Sequence, residues 1–124
     1  MKTVLIVDDQ PQVLLLYTRA LEAGGYRVHT AETVELGLQL IDTEKPDVVL
    51  VDLKMPYING MGMLYRLRKD HPRMPVAIIT GMQDLDQDSL KEISTLNATV
   101  HYKPLSIVQI RQLVDELVTR KSSP

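Results

Sequence analysis

Short apolar runs alternate along this chain with longer segments whose apolar positions recur at helical spacing, the pattern of repeated strand-helix units around a parallel sheet. Five such units can be read. The runs at 3–7, 47–51 and 75–79 are apolar at nearly every position, as strands covered by helices on both faces must be. They are expected at the centre of the sheet. Tyr26 to Ala31 alternates, and Ala98 to Tyr102 mixes polar with apolar residues, which suits strands at the edges. The prediction is an α/β fold: one doubly wound domain whose five parallel strands lie in the order 2-1-3-4-5, with helices on both faces.

The first helix is expected to begin near Pro11, since proline fits a first helical turn, and to stop at Gly24-Gly25, where a left-handed residue is easily accommodated. Its Leu14, Tyr17 and Leu21 lie on related faces. The second runs from about Thr33, an N-cap residue, to about Thr43. The third runs from about Asn59 to Asp70 and is ended by His71-Pro72, because proline disfavours helix in the residue before it. The fourth, about Asp84 to Thr95, sets Leu85, Leu90, Ile93 and Leu96 against many polar residues and is expected to be the least anchored. In the fifth, Ile107, Ile110, Val114 and Leu117 repeat at i, i+3, i+7 and i+10, joined by Leu113 and Val118. Residues 1–120 are thus expected to form one domain, and 121–124 read as a frayed end or the beginning of a linker.

At 124 residues the chain suits a single domain able to bury roughly two-thirds of its unfolded surface. It has no cysteine, which rules out a disulfide framework and thiolate chemistry and allows a reducing cytoplasm. The apolar run after Met1-Lys2 is far shorter than that of a signal peptide, and nothing later approaches the ~18 residues that span a bilayer. A cytoplasmic protein without membrane contact is expected. Fourteen Lys and Arg are scattered against sixteen Asp and Glu, a net charge of −2, so no footprint for nucleic acid appears. His29, His71 and His101 lack metal-ligand spacing, and Met55, Met61, Met63, Met74 and Met82 read as core and loop filling.

Candidate chemistry collects where the strands end. The first strand ends on Asp8-Asp9, the third on Asp52, the fourth on Thr80-Gly81 and the fifth on Lys103-Pro104. In an open parallel sheet these positions share one edge, and ligands bind there where the winding reverses, between the first and third strands. Taken singly, each motif has a bland explanation: an N-cap with a dipole-favoured acid for Asp8-Asp9, a turn former for Asp52 or Thr80, a solvated lysine for Lys103. Taken together they do not, since turn formers have no reason to be matched by a cation and a hydroxyl on neighbouring strands. Three carboxylates in one crevice repel one another and become compatible when a hard divalent cation, Mg2+ above all, takes their oxygens.

These motifs, Val4-Leu-Ile-Val-Asp-Asp9, Val51-Asp-Leu-Lys-Met-Pro56, Asn59-Gly60, Ile79-Thr-Gly81 and Tyr102-Lys-Pro104, resemble in order and spacing the receiver domains of two-component response regulators. The resemblance covers essentially the whole chain. It implies a flavodoxin-like fold and Asp52 as phosphoacceptor, receiving its phosphoryl group from a sensor histidine kinase, a histidine phosphotransfer protein or a small acyl phosphate. Asp9 would ligate Mg2+ directly, Asp8 through water, and Asp52 and the main-chain carbonyl of Lys54 would complete the protein ligands. Lys103 would pair with the phosphoryl oxygens and Thr80 would hydrogen-bond them, its loop and the weakly packed fourth helix shifting as it turned inward. The resemblance also implies a signalling phosphoacceptor without turnover, and a homodimer formed on phosphorylation through the fourth helix, fifth strand and fifth helix. Lys54 and Met82 would flank the phosphoryl group and affect its lifetime. The Lys103-Pro104 bond is the credible cis peptide near the site. One departure stands out: the family usually carries Tyr or Phe three positions before the lysine, and this chain has Val100, which leaves open how the switch is transmitted.

Three other functions compete. A phosphatase of haloacid dehalogenase type needs a second aspartate two residues after its nucleophile on the first strand, and position 10 is Gln. A flavodoxin-type flavin site needs a Ser/Thr/Gly-rich phosphate loop where this chain has Asp8-Asp9-Gln10-Pro11. A receiver-like interaction module that is never phosphorylated is opposed by retention of all five site groups, and Val100 keeps it open.

Overall fold

A computed structural model describes the backbone of residues 1–55, 58–81 and 85–122, with side chains at 54–55, 58–60 and 120–122 left out of the description. The chain runs β1 (Thr3–Val7), α1 (Pro11–Ala23), β2 (Arg27–Ala31), α2 (Val34–Glu44), β3 (Val48–Val51), β4 (Lys54–Met55), β5 (Ile58–Asn59), α3 (Gly60–Asp70), β6 (Val76–Thr80), α4 (Gln87–Thr95), β7 (Ala98–Tyr102) and α5 (Ile107–Ser122). Five strands form one parallel sheet in the order β2-β1-β3-β6-β7, which in chain order is the expected 2-1-3-4-5. The unpredicted pair β4 and β5 is a short antiparallel hairpin beyond Asp52. Two-residue strands carry too little alternation to be read from a sequence.

The period-2 alternation of the central strands sends their side chains to two cores. Val4 and Ile6 of β1, Val48 and Leu50 of β3, and Ala77 and Ile79 of β6 meet Leu14, Tyr17 and Leu21 of α1 and Ile110, Val114 and Leu117 of α5. Their neighbours Leu5, Val7, Val49, Val51, Val76 and Ile78 face the opposite way, onto Ile41 of α2, Met63, Leu64 and Leu67 of α3 and Ile93 of α4. The edge strands β2 and β7 remain partly exposed. On the second face α2 rides close to β1: a Cβ on Gly37 would lie 2.9 Å from Val7 Cγ2 and 3.1 Å from Met63 Cε, so only glycine fits.

The helix signals hold in most places. Thr33 caps α2, accepting a hydrogen bond from the Leu36 N–H at 3.1 Å, and Gly25 takes the left-handed conformation after α1 with φ +92°. Two expectations are corrected. The fourth helix begins at Gln87, because Asp86 is the N-cap and accepts from the Ser89 N–H at 2.7 Å; the expected start at Asp84 lies outside the described residues. The fifth helix, which runs through Ser122, does not bury Ile107, which is 50 % exposed in its first turn. Ile93 is the one buried residue of α4, against four in α1. That contrast agrees with a loosely held fourth helix.

Candidate functional site

Every charged member of the site stands just past a strand of the sheet, and the sheet's own hydrogen bonds set it there. The Asp8 N–H donates to the Ala31 carbonyl at 3.0 Å, the Asp52 N–H to the Val7 carbonyl at 3.0 Å, and the Lys103 N–H to the Thr80 carbonyl at 2.8 Å. Each is a ladder bond continued one step beyond the strand, so the three side chains inherit the register of β2-β1-β3 and of β6-β7. Asp8, Asp52 and Thr80 are the buried polar residues among those described, at 3 %, 4 % and 0 % exposure. Such burial is costly unless the groups are partnered.

Lys103 supplies much of that partnership. Its Nζ lies 2.7 Å from Asp8 Oδ2, 3.1 Å from Asp52 Oδ2 and 2.9 Å from Gln10 Oε1. Burial works against its ammonium, but the adjoining Asp8 and Asp52 carboxylates outweigh that and hold its pKa above the ordinary lysine value. Asp8, Asp9 and Asp52 bring one carboxylate oxygen each within 4.8 Å of one another. An all-oxygen, partly exposed donor set of this kind fits Mg2+, which takes one or two carboxylates and keeps waters for a phosphoryl oxygen.

A cavity of about 780 Å3 opens beside Asp52. Asp9, Gln10, Gly81 and Lys103 form its polar wall, and Val13, Leu16, Tyr17 and Leu105 its apolar wall. Tyr17 is buried in that wall, and burial pushes its hydroxyl pKa up, partly offset by a hydrogen bond with the Leu105 backbone.

Of the residues expected at the site, Asp8, Asp9, Asp52 and Lys103 come together, and Thr80 sits fully buried one hydrogen bond from the Lys103 backbone. The Lys103-Pro104 bond is cis, as anticipated. Lys54 opens β4 just beyond Asp52; its side chain and Met82 lie outside the described residues. Val100 packs partly buried against the α2-α3-α4 core, while Tyr102, paired in register with Thr80, is 41 % exposed. The bland reading of Asp8-Asp9 fails in one respect: neither caps α1, whose N-cap is Gln10. Sequence reasoning missed Gln10, which served there to exclude another family; its place next to the acidic pair was the available signal.

The chain is similar to known proteins. The family model described as the response regulator receiver domain matches residues 4–115. The chain is 32 % identical over 121 residues to sporulation initiation phosphotransferase F of Bacillus subtilis, covering 97 % of this chain and 96 % of that one. It is 30 % identical over 108 residues to the probable transcriptional regulatory protein TcrX of Mycobacterium tuberculosis, covering 87 % of this chain but 46 % of that one. Among solved structures, a receiver domain protein from Methanospirillum hungatei superposes with a TM-score of 0.91 at 27 % identity, covering 98 % and 97 % of the two chains. One from Clostridium thermocellum superposes with a TM-score of 0.88 at 30 % identity, covering 98 % of each.

Proposed function

The chain belongs to the response regulator receiver domain family of two-component signalling, and from that premise we propose that Asp52 is its phosphoacceptor. Receiver domains are signalling domains that bind Mg2+ at an acidic pocket and take phosphoryl groups from histidine kinases. The observation that carries the reading here is the convergence of Asp8, Asp9 and Asp52 on one crevice, with Lys103 Nζ bonded to two of them.

In this reading one Asp52 carboxylate oxygen attacks phosphorus in line with the bond to the donor. That bond, P–N in a phosphohistidine or P–O in an acyl phosphate, breaks, and its electron pair leaves with the donor. Phosphoryl transfer needs positioning and charge neutralisation more than covalent help. Asp8, Asp9 and Asp52, with the Lys54 carbonyl, would hold Mg2+, which neutralises phosphoryl charge when bound. Lys103 turns from Asp52 to the incoming oxygens, and the Thr80 hydroxyl donates to them. The phosphoryl group adds three acceptors beside Thr80, and the sparsely buried α4 is the element free to answer. The domain then controls an output partner, with a homodimer through α4, β7 and α5 as one form of that output. Light scattering with and without beryllofluoride reads the dimer, and an unchanged mass removes it.

The deciding experiment is labelling with acetyl phosphate. Label should require Mg2+, be released by hydroxylamine as an acyl phosphate is, and be absent from Asp52→Ala. Label that persists in Asp52→Ala sinks the assignment. A folded, Mg2+-loaded chain that takes no label from acetyl phosphate or from phosphorylated kinase favours the interaction module.

A further inference from the structure

We propose that Gln10 is a positioning residue whose side-chain oxygen keeps the Lys103 ammonium at the mouth of the crevice when Asp8 and Asp52 turn to a divalent cation. The inference rests on the Mg2+ site of the proposed function. An N-cap side chain ordinarily accepts a hydrogen bond from the first turn of its helix. Gln10 stands at the N-cap of α1 and its side chain makes no such bond. Pro11 follows at the first helical position with no N–H to satisfy. The Gln10 N–H is taken by Asp8 Oδ1 at 2.9 Å, and its carbonyl accepts from Val13 and Leu14 at 3.1 Å each. With the backbone satisfied, the side chain reaches a residue 93 positions along the chain, its Oε1 lying 2.9 Å from Lys103 Nζ.

A lysine ammonium has three donors, and here they meet Asp8 Oδ2, Gln10 Oε1 and Asp52 Oδ2. The three acceptors are not equivalent. Asp8 and Asp52 belong to the carboxylate cluster that a cation can use, whereas Gln10 offers a neutral amide oxygen, a weaker ligand for a hard cation. Each carboxylate oxygen given to a cation leaves Lys103, 12 % exposed, short of an acceptor, and an unsatisfied ammonium so placed is costly. Gln10 lowers that cost, and being neutral it adds no repulsion toward a phosphoryl group. Without it, Lys103 is committed to the same two carboxylates that the cation needs.

The consequence is read as Mg2+ affinity, by calorimetry on the 124-residue chain in four forms: unaltered, Gln10→Met, Lys103→Met and the double variant. Gln10 is exposed and methionine matches its length, so the fold is kept. Gln10→Met should weaken Mg2+ binding about three- to tenfold, the worth of one hydrogen bond. In the Lys103→Met background the same substitution should leave the affinity unchanged, because the residue it serves is gone. Unchanged affinity in Gln10→Met, equal losses in both backgrounds, or no Mg2+ binding by the unaltered chain each overturns the inference. Labelling of Asp52 plays no part in this readout, so its failure would count against the phosphoacceptor role and leave the coupling of Gln10 to Lys103 standing.

Discussion

Lys103 follows β7 at the carboxyl edge of the sheet and gives its ammonium to two carboxylates and an amide, whereas Arg68, at the amino edge, gives its guanidinium to four main-chain carbonyls. Arg68 Nε donates to Leu96 O at 2.7 Å, its Nη1 to Met74 O at 2.8 Å and His71 O at 3.1 Å, and its Nη2 to Asn97 O at 3.3 Å. Burial lowers its pKa from the ordinary arginine value. Both cations are half-buried, yet they do opposite work. Carboxylates in excess of one ammonium can be taken over by another cation, so Lys103 sits in a site that exchanges partners. Carbonyls are fixed in the backbone and neutral, so nothing in solution competes for them, and the planar fork of Arg68 ties the end of α4 to the turn between α3 and β6.

The largest effect that tests this contrast is on chemistry. Lys103→Met should slow acetyl phosphate labelling of Asp52 by about two to three orders of magnitude, the loss expected when a preorganised donor to a developing anion is removed. Arg68→Ala should leave labelling within about threefold while the protein is folded, and lower unfolding stability in urea by about 2–3 kcal/mol, because half-buried carbonyls lose a charged donor. Arg68→Lys should recover less than half of that, since one ammonium cannot reproduce the fork. If Arg68→Ala abolished labelling in folded protein, or Lys103→Met cost more stability than Arg68→Ala, the contrast between site and clamp would collapse.

The site was more legible in the sequence than the clamp, and the reason is physical. Asp8 and Asp52 follow strands whose apolar runs mark them plainly, and a parallel sheet carries every strand end, including that of the mixed strand before Lys103, to one edge. Arg68 had no such marker: it shares the surface-like pattern of α3 with Arg66, and only the packing of α3 against the end of α4 selects between them. Ile107 misled for a related reason, since helical spacing predicts a shared face but not where the neighbouring core begins. Gln10 was visible but chemically mute, its role depending on the reach of Lys103 from a strand 93 residues away. Roles that arise where strands end can be read from pattern; those that depend on which backbone atoms happen to be near need coordinates.

The smallest effect lies in alkaline solution. Lys103 has a folded-state pKa raised above its ordinary value of 10.5 by Asp8 and Asp52 in spite of burial. A group whose folded pKa is raised binds its proton more tightly in the native state, so its contribution is complete below the unfolded pKa and is lost as pH climbs through the folded one. Tyr26, desolvated and donating its hydroxyl to Asp115, is pushed up to about 12 and acts with the same sign in an overlapping window beginning near pH 10. Urea midpoints measured from pH 9 upward should therefore fall in the unaltered protein. They should fall less steeply in Lys103→Met and in Tyr26→Phe, and least in the double variant, since the two groups are independent. The two shares should add, because Lys103 with its carboxylates and Tyr26 with Asp115 have no partner in common. A double variant whose slope departed from the sum of the two single effects would mean that the two groups are coupled, and that Lys103 is more than a local counterion.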